Sequence, residues 1–298
     1  MQVDEQSYWL QPWLGDPVIR VPRDRDTRWV RDGYPCPGWL FGERDDQLYC
    51  AEELADEQLE ITAVDKSGSS APSRVAHLPN DNGGRFGRHM STAHQGPLLV
   101  GERVLQAIAT GFVSAELDGD GSLEFIELGY RPACAVARGE HVAWLAVEDG
   151  HALFSGEYPL SAIHHEYGRA PWLGLPHANE PERRLACPAW AGESLLLPVH
   201  KGETMDLLRL NEHQQFTLVE GIALDLNELF GDGDLAWWYV RGQGLWWIDA
   251  TSHGPVDAGD LFAAELTASG GALAWMNNAH AGCGVHVSDA YAGPTAWR

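Results

Sequence analysis

Apolar residues along this chain come in short runs, separated by polar turns. The stretch Gly139 to Gly156, GEHVAWLAVEDGHALFSG, shows the unit: a turn, an apolar run, an Asp-Gly reversal and a second apolar run. The pattern returns at Gly42 (GERDDQLYCA), Gly101 (GERVLQAIAT), Gly192 (GESLLLPVHKG), Gly231 (GDGDLAWWYVRG) and Gly270 (GGALAWMNNAHAG). A short run stands before each turn: WLF, LLV, AVA, PAW, ELF or ELT. A third run follows a further reversal: LEITAV, FVSAEL, HALFSG, MDLLRL, LWWIDA or VHVSDA. Short runs rich in Trp, Val, Leu and Phe between Gly and Asp-Gly turns predict strands joined by hairpins. No window sustains an apolar period of 3.6 that would predict a helix.

The six turn glycines stand 59, 38, 53, 39 and 39 residues apart. A four-stranded propeller blade takes about 40 residues. A lone four-stranded sheet cannot bury both faces, whereas six packed around an axis can, with only short edges left over. The fold expected is therefore all-β, a single six-bladed β-propeller over 1–298, with blades near 35–78, 96–128, 132–165, 185–222, 230–260 and 261–298. The last blade lacks a strand, and the apolar run Val18 to Val21, within 17–22, is expected to supply it and close the ring. Trp144, Trp190, Trp237, Trp238, Trp246, Trp247 and Trp275 are expected to fill the wedges between blades.

Two intervals are long because they carry polar, Gly-rich connectors. Residues 79–95 (PNDNGGRFGRHMSTAHQ) hold Arg85, Arg88, His89 and His94; residues 166–184 hold Trp172, His177 and Arg184, just after His164. Long connectors in compact folds tend to carry function. Ring geometry puts both on one rim, so Arg85, Arg88, His89, His94, His164, Trp172, His177 and Arg184 form the expected ligand or partner site. If the chain is an enzyme, His89, His94 and His177 are its candidate acid–base groups. The segment Glu116 to Glu127, ELDGDGSLEFIE, matches an EF-hand loop in letters, with Asp118, Asp120 and Glu127 as candidate calcium ligands. It lies between alternating strand-like runs, however, and an Asp-Gly hairpin accounts for the same residues. No cofactor is expected beyond that calcium alternative.

Charge narrows the partner. The net charge is −23, from 43 acidic and 20 basic residues, and only Lys66 and Lys201 are lysines. That excludes a nucleic-acid binder, which needs clustered cations, and disfavours an anionic membrane; no apolar run is long enough to span one. A basic protein partner or a cationic ligand is compatible. Cys36, Cys50, Cys134, Cys187 and Cys283 are odd in number, widely spaced and mostly within apolar runs. They read as buried free thiols in a reducing compartment. With no secretory signal pattern at the N-terminus, a cytoplasmic location is expected.

The last repeat, with Gly270-Gly271, Leu273-Ala274-Trp275 and Val285-His286-Val287-Ser288-Asp289, resembles the blades of TolB-like six-bladed propellers, including the propeller domain of prolyl-oligopeptidase-type peptidases. The resemblance implies an architecture and no catalytic residue. The hydrolase domain of those peptidases has no expected place here, and no G-x-S-x-G elbow, P-loop, dinucleotide fingerprint or H-E-x-x-H occurs. The function expected is non-enzymatic binding of a basic protein, of the kind a bacterial toxin-neutralising immunity protein performs. The alternative is a small-molecule hydrolase, lyase or cyclase with its site at the channel mouth.

Overall fold

The computed structural model describes residues 2–3, 7–11, 16–22, 33–55, 58–80, 96–146, 152–158, 183–185, 187–211, 214–223, 227–232, 235–240, 244–249, 252–256, 263–269, 272–277 and 284–289. Every regular element among them is a β-strand, and the strands form seven sheets. The first holds β1 (Gln2–Val3), β2 (Ser7–Leu10), β3 (Val18–Pro22) and β4 (Gly33–Tyr34). The second holds β5 (Trp39–Arg44), β6 (Gln47–Glu53), β7 (Gln58–Asp65) and β8 (Ser73–Pro79). The third holds β9 (Leu98–Val100), β10 (Arg103–Ile108), β11 (Gly111–Glu116) and β12 (Leu123–Glu127). The fourth holds β13 (Pro132–Arg138), β14 (His141–Ala146) and β15 (Ala152–Glu157). In the fifth, β16 (Arg183–Leu185) and β17 (Ala189–Ala191) both pair with β18 (Ser194–Lys201), followed by β19 (Thr204–Asn211) and β20 (Gln214–Ala223). The sixth holds β21 (Asn227–Asp232), β22 (Leu235–Val240), β23 (Gly244–Ile248) and β24 (His253–Val256), and the seventh β25 (Ala263–Ser269), β26 (Ala272–Asn277) and β27 (Gly284–Asp289).

Each of the six repeats thus contains one sheet, laid down strand by strand in chain order except in the fifth sheet, where β16 and β17 share β18. The expectation for the N-terminal segment fails. Val18–Pro22 pairs with Ser7–Leu10 on one side and Gly33–Tyr34 on the other, inside a sheet of its own. With both edges of β3 occupied, it cannot complete the last sheet. The missed signal was Ser7–Leu10: its run SYWL has the alternation of a strand, with Trp9 fully buried beneath it. Trp9 meets the Tyr34 ring edge-on at 5.1 Å, and the Arg20 guanidinium lies over its other side, 5.6 Å from the ring centre.

The chain divides into two compact units, Met1–Val142 with Ser155–Ala170, and Ala143–Phe154 with Pro171–Arg298. In the first, the opening strands of successive sheets touch in order, β1 with β5, β5 with β9 and β9 with β13. In the second, β17 touches β21 and β21 touches β25. Two glycines mark these approaches. A Cβ on Gly42 would come within 2.4 Å of the Leu99 side chain, and one on Gly231 within 2.5 Å of the Trp190 carbonyl oxygen. Both lie within strands instead of the turns expected for them, whereas Gly101, Gly139 and Gly192 do turn the chain, with φ of 53°, 58° and 57°.

Apolar side chains between neighbouring sheets make the cores. Leu59, Ile61 and Leu78 pack with Val104, Val113 and Ala115 in the first unit. Leu196, Leu207, Leu229, Trp238 and Ile248 pack together in the second. Each such side chain contributes about 1.5–3 kcal/mol by leaving water. Trp144, Trp190, Trp237 and Trp238 are buried, as the wedge-filling expectation required. Trp246 and Trp247 are partly covered, and the side chain of Trp275 lies outside the described residues.

The cysteines correct a second expectation. Cys36 and Cys50 form a disulfide, and Cys134 and Cys187 are each in oxidised, disulfide form. Free thiols in a reducing compartment were inferred from wide spacing in sequence. That spacing says nothing about proximity once a hairpin brings Cys36 beside β6. Cys283 lies outside the described residues.

Candidate functional site

Most of the expected site lies outside the described residues: Arg85, Arg88, His89, His94, His164, Trp172 and His177 all do. Arg184 is on β16, where its backbone pairs with His200. The calcium candidates are described, and they do not converge. Asp118 and Asp120 are at the tip of the β11–β12 hairpin, while Glu127 pairs with Gly111 at its far end. Asp120, though exposed, is engaged within its own turn, accepting hydrogen bonds from the Ser122 hydroxyl and from the Ser122 amide at 2.9 Å. Those bonds hold its carboxyl below the usual range. Among the described residues no group of three His, Cys, Asp or Glu is arranged to hold a metal.

One cluster of described polar groups lies instead on one face of the third sheet. Cross-strand register places Arg103 opposite Glu116, Leu105 opposite Ser114, and Ser114 opposite Glu124. Side chains directly opposite in a ladder share a face, so Arg103, Ser114, Glu116 and Glu124 project together. Arg103 Nη1 donates to Glu116 Oε1 at 2.8 Å, Nη2 reaches Glu124 Oε2 at 3.1 Å, and Nε donates to Ser114 Oγ at 3.2 Å. Tyr158, just beyond β15, closes the cluster. Its hydroxyl donates to Glu124 Oε2 at 2.5 Å and lies 3.0 Å from Ser114 Oγ, with the Arg103 guanidinium 5.4 Å from its ring centre. The Tyr158 amide is held by the Glu140 carbonyl.

Burial, followed by the hydrogen bond to Glu124, pushes the Tyr158 phenol up to about 12. It therefore keeps its proton near neutrality and serves as a donor, not a base. Ser114 is fully buried, so its hydroxyl is no accessible nucleophile. The guanidinium is shared between two carboxylates and a ring. The cluster satisfies itself, and its chemistry is that of a polar clamp between β10, β11, β12 and the segment after β15. Sequence reading missed it because its members are far apart and only the register unites them.

The opposite face of the same sheet is mostly apolar, with Gln106 buried among the aliphatic side chains and Glu127 at its edge. Val104, Ile108, Val113 and Ala115 enter the core shared with β6, β7 and β8. Leu123 and Phe125 extend that face past the core's margin, at 37% and 55% exposure. They are the two exposed large apolar side chains among the described residues. Elsewhere, Glu60 and His77 face each other across β7 and β8, with Oε2 and Nε2 2.7 Å apart. Asn80, at the end of β8, is fully buried with neither amide atom hydrogen-bonded. No helix among the described residues is long and apolar enough to cross a membrane.

No protein-family model and no curated protein matches the sequence. Solved structures do match. A prolyl endopeptidase structure aligns with a TM-score of 0.55 at 14% identity, covering 84% of this chain and 42% of the peptidase. The acylaminoacyl peptidase of Pyrococcus horikoshii aligns with a TM-score of 0.53 at 10% identity, covering 83% and 43%. The computationally designed Ika8 protein aligns with a TM-score of 0.51 at 9% identity, covering 96% and 81%. The chain thus spans less than half the length of the two peptidases. At these identities the likeness is one of fold: an all-β chain of successive sheets, consistent with a propeller-like arrangement.

Proposed function

We propose that this chain is a non-enzymatic binding protein, built as a β-propeller of the TolB-like kind, that engages a basic protein partner. The propeller reading is supported by the contacts between successive sheets within each unit and by the fold likeness to the two peptidases. The binding reading is carried by the placement of charge along residues 116–127. That segment holds five carboxylates and neither Lys nor Arg. Arg103, the cation beside it, is occupied by Glu116 and Glu124. Asp118 and Glu127 are exposed, and no cation among the described residues pairs with them. A one-signed surface of this kind accelerates encounter with a cationic protein and repels acidic ones. A basic toxin, neutralised by obstruction, fits this chemistry. The oxidised cysteines favour an oxidising compartment for the encounter, in place of the cytoplasm expected from composition. An enzyme at a channel mouth would rest on His89, His94 and His177, and likeness of fold supplies no activity.

The test is capture from lysate of the native host at low and at high salt, with the wild type and with Asp118→Lys/Glu127→Lys. The expected result is a basic protein held at low salt, released at high salt and retained at least ~10-fold less by the double variant, since exposed charges are screened beyond ~10 Å. A partner that is acidic, or indifferent to both salt and charge reversal, would overturn the reading.

A further inference from the structure

Among the described residues, strand β12 is an open edge that pairs with β11 alone, and it differs from the outer strands β8, β20 and β24. Natural sheets guard such edges with proline, basic residues or bulges, because an unpaired row of amides and carbonyls invites another strand. β8 carries Arg74, and its ladder with β7 is interrupted between Ile61 and Thr62. The ladder of β20 slips twice, around Leu207 of its partner β19. β24 contains Pro255. β12 has neither proline, bulge nor cation; the only charges it carries are the carboxylates of Glu124 and Glu127. Its register runs without interruption from Gly111–Glu127 to Ala115–Leu123, and its sequence, LEFIE, has no proline and no cation.

Hydrogen-bond phasing shows which residues face the opening. The Leu128 amide donates to the Thr110 carbonyl one step beyond the Gly111–Glu127 pair. Hydrogen-bonded and non-bonded pairs alternate along an antiparallel ladder. Ile126 and Glu124 therefore bond inward to β11, while the amides and carbonyls of Leu123, Phe125 and Glu127 point outward. Those same three residues put exposed side chains on one face of the sheet, in the order apolar, apolar, acidic.

We propose that β12 is the docking edge for the partner, which adds an extended segment of its own chain as a further strand. The proposal rests on the binding reading above and names its mode. In strand addition, backbone bonds supply affinity and alternate side chains supply choice. Opposite Leu123, Phe125 and Glu127, the fitting segment presents two aliphatic residues and a Lys or Arg at alternate positions. A second copy of this chain is the less suitable occupant. It would bring another LEFIE edge, which holds no cation to meet Glu127: paired antiparallel about Phe125, it sets Leu123 against that carboxylate, where an opposite charge would stabilise the pair.

The experiment uses a terminally blocked peptide, Lys-Thr-Val-Thr-Val-Thr-Lys, which offers the required alternation in either direction. The control is a scramble of equal composition, Thr-Thr-Val-Val-Lys-Lys-Thr. Binding to the full chain is followed by fluorescence anisotropy, with Phe125→Pro and Phe125→Lys as variants. Proline at an outward-facing edge position removes no bond to β11, so the sheet is retained; the lysine variant keeps the amide and guards the edge with charge. The wild type is expected to bind the alternating peptide at least ~10-fold more tightly than the scramble, and each variant to lose at least ~10-fold. Equal affinity for both peptides, or unchanged binding in both variants, overturns the proposal. So does a wild-type dimer that both variants abolish, which would assign the edge to a second copy. If lysate capture stays salt-sensitive while neither variant affects it, the basic partner stands and the docking edge falls.

Discussion

The third and sixth sheets solve the same problem in opposite ways. The third gathers half-buried polar side chains around the buried Ser114 and lets them satisfy one another: Arg103, Ser114, Glu124 and Tyr158 each have a partner within the cluster, although Gln106, buried on the other face, keeps an unbonded Oε1. The sixth buries indoles and leaves ring nitrogens unbonded. Trp237 opposes Trp247 and Trp238 opposes Trp246 across β22 and β23. The Nε1 atoms of Trp238, Trp246 and Trp247 have no hydrogen-bond partner. Magnitudes explain why the second solution survives. A buried Trp removes 150–250 Å² from water, about 4–6 kcal/mol of stabilisation. An orphaned N–H costs about 1–3 kcal/mol. Area outweighs the missing bond, so the sixth sheet depends on shape and the third on geometry.

That contrast breaks most readily at Trp238. Trp238→Ala is expected to cost about 3–5 kcal/mol in denaturant unfolding. Trp238→Phe keeps most of the ring area and loses a hydrogen bond that does not exist, so it should cost less than half as much. Equal losses would mean that the ring nitrogen matters after all. Next in size is Arg103→Ala, which strips Glu116 and Glu124 of their cation and uncovers the Tyr158 ring. Both carboxylates are partly in water, so the expected loss is about 1–2 kcal/mol. It should fall further in Arg103→Met, which restores the packing of the stem.

The smallest effect sharpens the comparison through pH. Tyr158→Phe is expected to cost about 1 kcal/mol near neutrality, the worth of one hydrogen bond. The phenol sits at about 12 in the fold against an ordinary value of 10.0. Its contribution to stability is therefore whole below pH 10 and fades as pH rises toward about 12. Burial raises the Tyr49 phenol as well, so alkaline titration of the phenolate absorbance should reveal one more late-titrating tyrosine in the wild type than in the variant.

The two sheets were not equally legible beforehand. The sixth announces itself in sequence, because adjacent tryptophans between glycines on two strands leave little choice but burial. The clamp in the third was invisible. Nothing in the letters pairs Arg103 with Glu116 or brings Tyr158 to Glu124; that takes the register of β10, β11 and β12. The repeat was legible because turn chemistry is local, and Gly101, Gly139 and Gly192 behave as local turn formers. Gly42 and Gly231 looked alike in sequence but answer to a neighbouring sheet, a long-range constraint. The strand Val18–Pro22 was found and its partners misjudged, since pairing depends on what Ser7–Leu10 does. The cysteines were misread for the same reason. Of the candidate site, the rim connectors remain expectations, and the edge at β12 was present in the letters LEFIE without a sign that it was an edge.

The Cys36–Cys50 bridge encloses the first hairpin of the second sheet, including the exposed turn at Asp45 and Asp46. A protease that clips this turn severs the chain without separating it. The fragment bearing Trp9, Val18 and Tyr34 stays tethered to the strand bearing Leu48 and Cys50, beside which those side chains are already packed. Such a nicked molecule would migrate as a single species in a gel without reductant and as two once reductant is added, and the tether would favour re-formation of the same core after cutting. The bridge thus makes one exposed turn of that sheet tolerant of the damage that exposure invites.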